Sequence, residues 1–383
     1  MVAAFALLSI LFTFARFSFG YLVGFYLYSM IFGYLWINCF STLEYDHRLG
    51  GFSAAVSAIA FLLPALFTSS PIRQRYVLSK ELLGRLLISI LLFAAATMAV
   101  AALYNFRLVG IEDIYNFREQ LDFPTFISYS IGIASAALLP FAYACFIARR
   151  NYWLAAAVLL LLLLYYPITL SKLAFFTPAW LVAMTLLARL VEARTAVILS
   201  LLLPLLAGLL LVVHKTADAT IPITDAVRYF YTVNFRILAV PAAAMDVYSD
   251  FFSKHELTHF CQISFLKRFV ACPYQDQMSI VMERAYKLGN FNASMFATEG
   301  IASMGLWLAP IALFGCGLVI ALGNRLSAGL PPGFILVSGA VFPQILLNVP
   351  LSVALVTHGG AVLFLLWYIT PRTMFEPDAA DTA

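Results

Sequence analysis

Unbroken apolar runs such as LAAAVLLLLLLYY (154–166) and AVILSLLLPLLAGLLLVV (196–213) constrain this chain more than any other feature. They approach or reach the roughly 20 apolar residues that cross a bilayer as a helix, and they lack the alternation of a membrane β-strand. The remaining sequence agrees with that reading. Of 383 residues, 63% are hydrophobic and 11% charged, with a mean hydropathy of +0.93. So much apolar surface has no soluble interior large enough to hide it. The expected fold class is all-α, a polytopic integral membrane protein.

Hydropathy predicts eleven transmembrane helices, near 2–14, 18–40, 52–69, 84–104, 126–147, 152–167, 172–190, 195–213, 303–322, 333–350 and 352–370. The first is short, lacks the basic start of a cleavable signal and runs through Arg16 into the second. Alternate loops carry Arg16; Arg73, Arg75, Lys80 and Arg85; Arg149 and Arg150; Arg189 and Arg194; Arg325; and Arg372. The positive-inside rule makes these loops cytoplasmic and the opposite ones, with Arg48, Arg107, Arg118 and Lys172, external. A net charge of +4 is explained by this orientation bias, so no nucleic-acid partner is expected. The chain then divides into N-terminal membrane helices (1–213), a large external loop (214–302), C-terminal membrane helices (303–370) and an acidic cytoplasmic tail (371–383). Aromatics and aliphatics recur at roughly helical spacing in the loop, which predicts amphipathic helices on or dipping into the outer face. No internal repeat is evident.

Cys39, Cys145 and Cys316 lie in or near helices and read as small packing residues. Cys261 and Cys272, eleven positions apart in the loop, are candidates for a disulfide if their compartment is oxidising. HELTH (255–259) matches the zinc motif HExxH, which needs both imidazoles on one helical face. No second motif supplies a further ligand, so the expectation is two exposed imidazoles on a surface helix, with no metal and no cofactor. LEYDHRLGG (43–51) sets Glu44 and Asp46 near a helix end, where a divalent cation would need oxygen ligands; an ordinary solvated turn accounts for them as well.

Lys172, Lys215, Arg228 and Arg236 form a basic set close to membrane level, with too few neighbouring acids to neutralise it. An anionic ligand would do so, and arginine suits phosphate because its planar fork binds two oxygens and keeps its charge. Arg228 and Arg236 stand about 80° apart on an ideal helix, flanking one ligand with Tyr229 beside them. GNFNASMFATEGIASMG (289–305) adds Asn290 and Asn292 as ligand or capping residues. It also places Glu299 at the outer rim, facing the basic set.

The segments NFRILAVP (234–241), YSDFFSKHELTHF (248–260) and GNFNASMFATEGIASMG resemble motifs of the O-antigen polymerases, the Wzy-like oligosaccharide repeat-unit polymerases, which are related more distantly to O-antigen ligases. Hydropathy and the late external loop extend the likeness over most of the chain. The resemblance implies a GT-C-like membrane enzyme of the bacterial inner membrane with its site facing the periplasm. It would polymerise undecaprenyl-diphosphate-linked oligosaccharides for O-antigen, capsule or exopolysaccharide, with lipid-linked donor and acceptor, membrane lipid, a chain-length regulator and a flippase as partners. Arg236 and Arg228, assisted by Lys172 or Lys215, would then hold the diphosphate, and His255, His259 and Glu299 are the candidates for general base. A lipid-linked oligosaccharide flippase is the rival from another class, and a ligase shares the chemistry.

Overall fold

The computed structural model describes residues 1–110, 113–114, 117, 121–217, 223–263, 266–289 and 292–375. All regular structure among them is helical. Eight helices among the described residues are long and apolar enough to cross a membrane: Phe19–Ile37, His47–Phe67, Lys80–Ala102, Thr125–Ala148, Tyr152–Thr169, Lys172–Leu190, Ala193–His214 and Phe296–Ser327. The chain is thus a polytopic membrane protein. Polar side chains start several of these helices by accepting otherwise unpaired N–H groups. Ser18 takes Tyr21 N–H, Asp46 takes those of Arg48 and Leu49, Ser79 that of Leu82, and Asn151 that of Leu154.

Three of the eleven predicted helices are not single long spans. Residues 2–14 break into Val2–Ala6, a 3-10 turn Leu7–Ser9 and Ile10–Phe14. The stretches 333–350 and 352–370 resolve into Pro332–Ser338, Phe342–Leu346, Leu351–Val356 and Gly360–Ile369. Hydropathy sees these as continuous because it ignores breakers. Pro350 lacks a backbone donor, and Gly359 takes a left-handed φ of 73° that ends the run before it.

Two compact units emerge from the contacts. The first comprises Met1–Ser69, Arg194–Leu322 and Pro343–Ser352, and the second Ser70–Ala193, Gly323–Phe342 and Val353–Ala383. In the second, Trp180 Nε1 donates to Ala340 O at 2.9 Å and Trp367 Nε1 to Ser338 Oγ at 2.9 Å, so a half-buried and a fully buried ring both have their donors satisfied.

The long segment does more than lie on a face: it contributes the core helix Val240–Lys254 to the first unit, with Ala244 through Phe252 all buried. This helix packs on Phe19–Ile37 and on the π-helical turn Phe296–Ala302. The preceding Ile223–Phe230 is amphipathic, with Asp225, Val227 and Arg228 exposed and Ala226 buried.

Candidate functional site

Residues 223–254 form one helical element whose middle, Tyr231–Ala239, is a π-helix. Two side chains pin it to the helix Ala193–Ala217. Tyr229 donates its hydroxyl to Pro204 O at 3.1 Å, and Asn234 donates Nδ2 to Leu205 O at 2.7 Å. Gly208 makes room for the second contact, because a Cβ there would lie 1.9 Å from Asn234 Oδ1. Arg228 and Arg236 both end exposed. Arg236 has no hydrogen-bond or ion-pair partner among the described residues. The π turn between them changes the residue count per turn, so the ~80° separation of an ideal α-helix does not carry over.

The helix Val240–Lys254 also presents Asp246 and Asp250, four residues apart and therefore on one face. They are 7% and 5% exposed. Ser41 Oγ donates to Asp246 at 2.6 Å, and the Tyr45 hydroxyl lies 2.5 Å from it and 2.8 Å from Asn38 Oδ1. Burial, with Tyr34 and the Asp246 charge nearby, pushes the Tyr45 phenol up, so it stays a donor. Asp250 accepts from Lys254 Nζ at 2.7 Å and from the Tyr286 hydroxyl at 2.5 Å. Burial raises its carboxyl, but those two bonds and the Lys254 charge outweigh burial and hold it below the ordinary carboxylate value.

That depression has a sign. The stabilisation from Asp250 is present above the unfolded carboxyl value of about 3.9 and disappears as pH falls through the lower folded value. Intrinsic-rate-corrected hydrogen exchange in Met278–Tyr286 should therefore be flat from neutral pH down to about pH 4 and rise below it. Asp250→Asn should raise it already at neutral pH. Equal protection in variant and wild type would mean that this contact does not hold the helix in place.

The histidines do not sit as the motif suggests. The helix stops at Lys254, His255 is extended (φ −127°, ψ 162°) and His259 is left-handed at φ 46°, so HELTH is not helical and the HExxH face does not form. This also corrects the expectation of a surface helix there. Among the described residues no group of three His, Cys, Asp or Glu is placed to hold a metal ion. His255 stacks on Phe251, ring centroids 4.0 Å apart, with Nδ1 2.8 Å from Phe251 O. A carbonyl can only accept, so Nδ1 is the donor in this bond, and Nε2 is the uncommitted nitrogen of an exposed ring. Thr258 ties this loop to the next motif, through N–H to Ala302 O at 2.7 Å and Oγ1 to Ser303 Oγ at 3.0 Å. Cys261 and Cys272 are joined by a disulfide.

Glu299 sits in the π-helical turn Phe296–Ala302 and is 7% exposed rather than open at a rim. Its carboxylate accepts from Thr298 Oγ1 at 2.6 Å, Ser352 N–H at 3.1 Å and Ser352 Oγ at 3.3 Å; none of these partners is an arginine. The turn Phe296–Ala302 packs directly on the helix Val240–Lys254, which puts Glu299 beside that helix. Gly305 leaves this π turn with φ 71°, a conformation a side chain would strain.

Asn292 is exposed and caps nothing, since Met295 holds the N-cap of that turn. Asn290 lies outside the described residues, as does the side chain of Lys215 near the end of Ala193–Ala217. Lys172 is half-buried and opens the helix Lys172–Leu190 of the second unit. Glu44 and Asp46 do not form an acid pair for a cation: Asp46 caps His47–Phe67, while its neighbours Tyr45 and His47 join the hydrogen bonds around Asn38 and Asp246. Asp246, Asp250, Tyr45 and Tyr286 escaped the sequence reading. The available signal was the i, i+4, i+8 spacing of Asp246, Asp250 and Lys254 within an aromatic helix. Compared with known family models, curated proteins and solved structures, the chain matches none.

Proposed function

We propose that the first unit is the catalytic part of a metal-independent, GT-C-like membrane glycosyltransferase that polymerises lipid-diphosphate-linked oligosaccharide repeat units. The observation that supports it best is convergence. The three segments that resemble O-antigen polymerases run into or pack on one helix, Val240–Lys254, and two of them form π-helical turns, a feature that recurs at functional sites. The disulfide in the same region supports an oxidising, periplasmic side for the site in a bacterial inner membrane.

In this reading Arg236 and Arg228 bind the diphosphate of the donor. The acceptor hydroxyl oxygen attacks the anomeric carbon of the donor sugar, the bond from that carbon to the diphosphate oxygen breaks, and lipid diphosphate leaves. The arginines offset the charge that develops on the leaving oxygen. His255 takes the acceptor proton on Nε2, because its Nδ1 already faces Phe251 O and its ring is exposed. Glu299, whose lone pairs are engaged by Thr298 and Ser352, holds the π turn instead of moving a proton.

Depleting the protein in its host tests this. Polymerisation would fail and lipid diphosphate carrying a single repeat unit would accumulate on the outer face. Accumulation on the cytoplasmic face would point to a flippase, and full-length glycan left on its lipid carrier to a ligase.

A further inference from the structure

The strap at the start of the second unit, residues 70–79, carries chemistry that glycosyl transfer leaves unused. It has no helix of its own and is fixed through its backbone. Ile72 N–H donates to Arg325 O at 3.3 Å, and Leu78 N–H to Ile369 O at 3.0 Å. Arg75 N–H donates to the Tyr368 hydroxyl at 2.8 Å, and that hydroxyl donates to Arg73 O at 3.3 Å. Gln74 is turned inward, where its amide donates to Tyr368 O and, at 3.2 Å, to Thr370 O.

In an extended chain successive side chains point to opposite sides. Tying Gln74 down therefore turns Arg73 and Arg75 out together, and burial alternates to match: Ile72 and Gln74 are half-buried, Arg73 and Arg75 exposed. The four residues from Ile72 to Arg75 line a shallow recess. Neither guanidinium has a hydrogen-bond or ion-pair partner among the described residues. The neighbouring arginines are differently engaged: Arg325 Nε donates to Ser70 O at 3.1 Å and Arg372 Nη2 to Leu326 O at 3.0 Å. Arg73 and Arg75 are thus two adjacent, outward cations on a tethered backbone.

Their level is set by the apolar helices. The strap leads into Lys80–Ala102 and is bonded to the last residue of Gly360–Ile369 and the last turn of Ser303–Ser327. Helices that cross a bilayer end at its headgroups, where anionic lipids concentrate phosphate. We propose that Arg73 and Arg75 bind the phosphate of an anionic phospholipid headgroup and hold the strap to the bilayer surface. Two planar forks on one side of an extended chain suit the shared, multidentate contact that phosphate accepts.

The test is native mass spectrometry of the purified full chain titrated with phosphatidylglycerol or phosphatidylcholine. R73Q/R75Q should weaken phosphatidylglycerol binding by roughly 30-fold, about fivefold per arginine, and leave phosphatidylcholine binding unchanged. The unfolding temperature in detergent should not move, since neither side chain has a protein partner. R48Q/R268Q, which removes the same charge from two exposed positions of the first unit, should bind like wild type. Equal losses in both double variants would reduce the effect to net charge and overturn the site, as would no loss in R73Q/R75Q. Displacement of the lipid by equimolar inorganic phosphate would overturn the lipid as the occupant. Should the double variant fail to accumulate, R73Q and R75Q singly carry the same test.

Discussion

Replacing Arg236 with alanine is expected to lower glycan elongation by about 10²–10³-fold while the protein stays folded in the membrane. The size follows from the role assigned to it, a fixed charge beside an oxygen that becomes anionic as the glycosidic bond breaks. The separation of activity from folding follows from its surroundings. Arg236 is exposed and has no partner among the described residues, so its removal leaves no buried group unsatisfied and should cost within about 0.5 kcal/mol of stability. Arg236→Lys should recover part of the activity, because an ammonium restores the charge but not the bidentate fork. In vitro elongation rates, paired with unfolding temperatures, read both quantities. Normal chain lengths made by Arg236→Ala would remove it from the site.

His255→Ala should reduce elongation by about 10²–10⁴-fold, the usual contribution of a general base, with donor binding little changed. The informative comparison is Glu299→Gln. That substitution keeps the volume but replaces one of the two oxygens by an amide NH₂, so either Thr298 or Ser352 then faces a donor instead of an acceptor, which should cost about 1–3 kcal/mol of stability. Activity per folded molecule should survive within a few fold. If Glu299→Gln is folded but inactive and His255→Ala is active, the base assignment reverses.

Much of the architecture can be read from the residues themselves. Eight apolar runs became long helices because a bilayer leaves a backbone little choice but to satisfy its own hydrogen bonds, and Ser18, Asp46, Ser79 and Asn151 mark starts by capping. The broken helices after residue 331 were hidden because hydropathy weighs side chains and not backbone conformation, so Pro350 and Gly359 left no mark on it. The depth to which the helix Val240–Lys254 is buried is hidden for a related reason. Its acids look surface-bound, and only partners far along the chain, Ser41 and Tyr45 for Asp246 and Tyr286 for Asp250, make their burial tolerable. Arg236 and His255 were legible as types suited to diphosphate chemistry. The π turn under Arg236 and the carbonyl that accepts from His255 Nδ1 were not, because both arise from backbone geometry.

The most direct test of a lipid-diphosphate glycan polymerase uses the purified protein in detergent with EDTA and a short undecaprenyl-diphosphate-linked oligosaccharide from the host pathway. EDTA is included because arginine, not a divalent cation, is assigned to the diphosphate. A ladder of repeat units, with lipid diphosphate released in step with each addition, is the expected result. Intact, correctly matched substrate left unextended by folded protein would contradict it.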